Sequence, residues 1–185
     1  MPNMYFIALV LPKKINDDIL KWKLFMKDHF DCVTALRSPA HITLVPPFWM
    51  SDDLENKLTG AICQFSQHQV PLEITLKNFA AFKPRVIYAD VLSTPHLQAL
   101  YSQLLEYLIA LDRFPIKNDD RPFHPHVTIA TRDLHKKAFH AAWEGFKDRN
   151  YEAVAWINGI SLLKHNQKNW DVVFTSQFKT ILGNR

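Results

Sequence analysis

Two tetrapeptides constrain this chain more than anything else in it: His41-Ile42-Thr43-Leu44 and His126-Val127-Thr128-Ile129. Each alternates a polar with an apolar residue, the period of a half-buried β-strand. Residues two apart on a strand share a face, so each His projects beside its own Thr. Ile42, Leu44, Val127 and Ile129 then point the other way, into a core. A fold that sets the two strands side by side lines one cleft with two imidazoles and two hydroxyls. The plainer alternative is a pair of ordinary strands, each with a surface His and Thr.

What surrounds the motifs repeats as well, which argues against that alternative. Tyr5 to Leu11 is an apolar strand ended by Pro12. Ile15, Ile19, Trp22, Met26 and Phe30 then fall on one helical face. A loop through Ser38-Pro39 leads to the first motif strand, which Pro46-Pro47 is expected to stop. Ser51 reads as the N-cap of a helix bearing Leu54, Leu58, Ile62 and Phe65. Leu72 to Phe82 and Arg85 to Leu92 read as strands joined at Lys83-Pro84.

The second half runs in the same order. Thr94-Pro95 opens a helix with Leu97, Leu100, Leu104, Leu108 and Leu111 at its period. A loop from Phe114 to Pro125 precedes the second motif strand. Asp133 is expected to cap a short helix burying Phe139, Ala142, Trp143 and Phe146. Closing strands run from Ala153 to Lys164 and from Trp170 to Phe178. The spacing between the motif histidines also carries Val86-Ile87-Tyr88-Ala89 onto Asp171-Val172-Val173-Phe174. The expected fold is therefore α+β: one bilobal domain over residues 1–185, with approximate repeats at 13–92 and 94–178 related by a pseudo-two-fold. Each lobe is a mostly antiparallel sheet with helices on its outer face, and a cleft lies between the lobes.

Paired imidazoles can divide general base and general acid between them, since an unperturbed pKa near 6.5 allows either state at neutral pH. Hydroxyls can donate to the oxygens of a phosphate. Such a site needs no metal and no cofactor. His124-Pro125-His126 could instead seat a metal, but no carboxylate or Cys accompanies it at ligand spacing. A net charge of +4 suits a phosphate-bearing partner without identifying one. Cys32 and Cys63 stand in unrelated contexts, and the early apolar run is short, with Lys13 and Lys14 after it rather than before. A cytoplasmic protein without membrane association is expected.

These motifs resemble the 2H phosphoesterase superfamily, specifically its 2′-5′ RNA ligase-like branch. The resemblance is carried by Tyr5-Phe6-Ile7-Ala8-Leu9, Leu11-Pro12, His41 through Phe48, Arg85 through Ala89 and Phe123 through Ala130. It implies metal-independent hydrolysis of 2′,3′-cyclic phosphates to 2′-phosphates, with reversible 2′-5′ RNA ligation in some members. The implied catalytic set is His41, Thr43, His126 and Thr128, acting on RNA ends, short oligonucleotides or cyclic nucleotides. An inactive RNA- or nucleotide-binding module on the same fold is the competing reading. Many members carry an Arg five residues after the second motif His, where this chain has Thr131 followed by Arg132. On a continued strand Arg132 points away from the cleft. Tyr5, Phe6 and Phe48 are candidates to stack on a base, and Arg121 and Arg132 to contact phosphate. A monomer is expected.

Overall fold

In the computed structural model, which describes residues 2–118 and 121–179, eight strands and four helices follow the expected order. They are β1 (Pro2–Val10), α1 (Lys13–Phe30), β2 (His41–Ser51), α2 (Glu55–Ser66), β3 (Leu72–Phe82), β4 (Val86–Val91), α3 (Pro95–Ala110), β5 (His126–Ala130), α4 (Lys136–Glu144), β6 (Glu152–Ile157), β7 (Gly159–His165) and β8 (Trp170–Gln177). Of the expected loop from Phe114 to Pro125, residues 119 and 120 lie outside the described residues.

The strands form two four-stranded sheets in the orders β2-β1-β7-β8 and β5-β4-β3-β6, with every pairing antiparallel. Each motif strand is the edge of its sheet. Ile42, Leu44, Val127 and Ile129 are buried in a core that joins both sheets to all four helices. Within it, Trp22 of α1 packs edge-on against Phe79 of β3 at 5.5 Å, and Phe146, just beyond α4, lies 5.1 Å from the same ring. Aromatic pairs favour such edge-to-face geometry.

The chain runs from the first sheet through all four strands of the second and returns at Asn158. The expected strand from Ala153 to Lys164 is therefore two strands: β6 pairs with β3, and β7 pairs with β1 and β8. The Asn158-Gly159 break allows the change of sheet. At Gly159 an added Cβ would run into the carbonyl oxygen of Ser176.

Three local expectations are corrected. Pro46-Pro47 does not stop β2, which continues to Ser51. Tyr5 pairs with Phe48 and Ile7 with Val45, so both prolines fit within a bulge on an edge strand, where missing N–H groups cost the ladder little. Ser51 makes no side-chain cap; its hydroxyl donates to the Asp53 carboxylate, and a 3-10 turn over Asp52–Leu54 precedes α2. Asp133 does not cap α4 either. Its Oδ2 accepts from the Val33 and Thr34 amides at 2.7 Å each and from the Thr34 hydroxyl at 2.8 Å, tying the turn after β5 to the segment before β2. Thr94 does cap α3, accepting from the Leu97 amide at 3.2 Å. No described helix is long and apolar enough to cross a membrane.

Candidate active site

Strands β2 and β5 lie against one another, and both motifs turn their His and Thr away from the core. The two imidazoles are anchored alike. Nδ1 of His41 lies 2.7 Å from the Pro39 carbonyl oxygen, and Nδ1 of His126 lies 2.7 Å from that of His124. A carbonyl can only accept, so Nδ1 carries the proton in each ring and Nε2 is left to exchange one. Both histidines are thereby set in the same tautomer by the residue two positions earlier.

Two adjoining hollows meet at Thr43. One, of about 160 Å³, is lined by Phe6, His41, Thr43, Thr128, Arg132 and Trp170 among others. The other, of about 380 Å³, is lined by Thr43, Phe82, Tyr101, Arg121, Phe123 and His126 among others. The first holds a hydroxyl from each motif. The second is largely aromatic: Tyr101 and Phe123 stack with ring centroids 4.0 Å apart, and Phe82 lies 5.1 Å from His126.

The structure sorts the remaining sequence candidates. Phe6 faces the site, 4.8 Å from the His41 ring and 4.7 Å from Trp170. Tyr5 does not. It is fully buried on the opposite face of β1, and its single hydroxyl proton is shared between Asp52 and Glu55 carboxylate oxygens at 2.6 and 2.8 Å. Phe48 is also a core residue, packed on Tyr5 at 6.3 Å, with only 8% exposure. An unbroken apolar run hides which alternate positions face in, so sequence alone does not tell Tyr5 from Phe6. Arg121 lies at the rim of the aromatic hollow. Arg132 reaches the hollow of His41 and Thr128, because β5 ends at Ala130 and Arg132 adopts left-handed backbone with φ 43°. A turn re-aims the side chain that a continued strand would have sent away.

Sequence reading passes over Trp170, Tyr88 and Asp90. Tyr88 and Asp90 pair across β4–β5 with Thr128 and His126. Their two-residue spacing in Tyr88-Ala89-Asp90 is a usable sign of a shared face. Trp170 comes from the far strand of the other sheet and has no local signal. Asp90 Oδ1 also stands 3.4 Å from His124 Nε2. Among the described residues no group of three or more His, Cys, Asp or Glu is placed to hold a metal ion.

The surroundings differ electrostatically. Burial, above all, pushes His41 down to about 4; its bond to Pro39 opposes the shift, and the charges of Lys23 and His126 add to it. Burial also lowers His126; its bond to the His124 carbonyl and the Asp90 carboxylate oppose the shift, and the charge of His124 adds to it.

A family model described as the 2′-5′ RNA ligase superfamily matches residues 11–169. A Bacillus licheniformis protein named "Putative phosphoesterase" is 25% identical over 133 residues, covering 69% of this chain and 70% of that protein. In fold, the chain is similar to E. coli LigT crystallised with 3′-AMP, at TM-score 0.71 and 18% identity over 97% of this chain and 100% of LigT. It is similarly close to TT0787 of Thermus thermophilus, at TM-score 0.70 and 16% identity over 96% and 99% of the two chains. LigT has also been crystallised with NADP+ and with ATP.

Proposed function

The chain belongs to the 2′-5′ RNA ligase superfamily, and from that premise we propose that it is a metal-independent phosphodiesterase opening 2′,3′-cyclic phosphates of RNA ends or small nucleotides to 2′-phosphates. The observation that carries this reading is the matched pair of imidazoles, each held through Nδ1 at 2.7 Å with Nε2 left for proton transfer.

In the proposed reaction His41 Nε2 takes a proton from water as the water oxygen attacks phosphorus. The bond from phosphorus to the 3′ oxygen breaks, and His126 Nε2–H protonates that oxygen. His41 is assigned the base because no carboxylate among the described residues stands beside it and because it starts neutral. His126, with Asp90 across the strand pair, is the group that holds a proton more readily. Thr43 and Thr128 donate to the non-bridging oxygens, where negative charge builds. Arg132 meets the phosphate, Phe6 supports the His41 ring, and Arg121 guides the nucleotide into the aromatic hollow. With a 5′-hydroxyl in place of water, the same groups in the same proton states would form a 2′-5′ bond, His41 taking the hydroxyl proton and His126 protonating the departing 3′ oxygen.

In this reading residues 1–185 act as one unit, with approximate repeats 13–92 and 94–178 each supplying a His-x-Thr. It places the reaction in the cytoplasm and in a monomer; the free thiols Cys32 and Cys63 are compatible with a reducing compartment. The deciding experiment is hydrolysis of 2′,3′-cyclic nucleotides in EDTA by wild type, His41→Ala and His126→Ala, with the product isomer identified. Turnover to 2′-phosphate that each substitution cuts by roughly 10²- to 10⁴-fold is expected. Binding without any turnover would replace the enzyme with a binding module.

A further inference from the structure

Each motif histidine is held by a carbonyl two residues before it, and the carbonyl one residue earlier still is held by a helix. Lys23 Nζ of α1 donates to the Ser38 oxygen at 3.0 Å, beside the Pro39 oxygen that anchors His41. Gln98 Nε2 of α3 donates to the Phe123 oxygen at 3.3 Å, beside the His124 oxygen that anchors His126. The two corners are built on one plan, a helix side chain and an imidazole gripping consecutive carbonyls. One grip carries a charge and the other does not.

The charged grip is the costly one. Lys23 is 4% exposed, and the loss of hydration pushes its ammonium down to about 8. A neutral amide does the same mechanical task at the other corner. Moreover, Asn16 already fixes the Ser38–Ala40 segment from the same helix: its Oδ1 accepts from the Ala40 amide at 2.6 Å and its Nδ2 donates to the Leu11 carbonyl. Holding the corner does not by itself call for a buried cation.

We propose that Lys23 is a positioning residue that makes the two corners unequal, fixing the carbonyl corner that orients the His41 ring and setting beside it a buried positive charge that reinforces the effect of burial. The other charged or titratable groups around His41 are His126 on β5 and Arg132 in the following turn. Those around Lys23 are Asp17 on its own helix and Arg37 before β2, and Asp17 is paired with Lys13 at 2.7 Å. Among the described residues the set around His41 contains no carboxylate, so nothing in it cancels the effect.

The test is titration of His41 by NMR in wild type, Lys23→Gln, Lys23→Met and Lys23→Arg, alongside pH profiles of kcat/KM on a cyclic nucleotide. Lys23→Gln copies the neutral grip of the other corner, so it separates charge from anchoring. His41 should titrate at higher pH in Lys23→Gln and Lys23→Met and return toward wild type in Lys23→Arg. The acid limb of the pH profile should move the same way, and Lys23→Met should lose roughly a further tenfold in kcat/KM through the loosened corner. An unmoved His41 titration in folded Lys23→Gln overturns the proposal, as does an Arg variant that behaves like Met. If Lys23→Met does not fold, the Gln and Arg variants decide alone. The titration needs no substrate, so its outcome is separate from the phosphodiesterase reading on which the rate measurement rests.

Discussion

Asp90 stands directly across the β4–β5 ladder from His126, whereas the residue across β1–β2 from His41 is Val10. Two strands sharing the same His-x-Thr pattern thus present their histidines beside different neighbours. The twin motifs are alike in tautomer and unlike in charge environment, which is what a reaction needing one base and one acid requires.

His41 gives a pH signature in stability. Its folded-state value lies near 4, below the ordinary 6.5, so between those values the unfolded chain takes up a proton that the folded chain refuses. Its contribution is constant above pH 6.5, and stability is lost as pH falls toward 4, by on the order of 3 kcal/mol. Urea unfolding at pH 7 and pH 5 should show a smaller drop for His41→Asn than for wild type. Equal drops would remove His41 as the source.

The hydroxyls face the hollow between the strands. Thr43→Val and Thr128→Val keep the branched shape a strand favours and delete only the donor. Each should lower kcat/KM by about 10- to 100-fold with an unchanged Tm. A variant with wild-type kinetics would reduce that Thr to a strand former.

Asp133 ties the turn after β5 to the segment before β2 through three hydrogen bonds to one oxygen. Asp133→Ala should cost about 2 kcal/mol and lower Tm by about 4–8 °C. Calorimetry showing no change would mean the two segments hold without the carboxylate.

Two glycines should respond oppositely. Gly159→Ala drives a methyl into the Ser176 carbonyl and should destabilise by about 2 kcal/mol or more. Gly60 sits in α2 with open space around it, so Gly60→Ala should stabilise by about 0.5–1 kcal/mol. Denaturant midpoints moving in the same direction for both would contradict this reading.

What can be read from the sequence is local. Thr94 caps its helix as expected because its partner lies three residues on, and alternation puts both His-x-Thr pairs outside the core. Asp133 departs from expectation because its partners are far away in the chain. Tyr5 and Phe48 belong to the core rather than the site, and the apolar runs that carry them show no visible face. Arg132 turns on one backbone angle that strand periodicity cannot supply, and Trp170 on the order of strands in a sheet.

The return of the chain at Asn158 also ties the His41 half of the cleft to the far end of the chain. β1 lies between β2 and β7, so until β7 pairs, the strand carrying His41 belongs to a two-stranded ribbon. Closing contacts between distant segments is slow, and isolated two-stranded ribbons are marginal in water. A chain cut before β7 would thus carry both motifs while leaving His41 on a two-stranded ribbon.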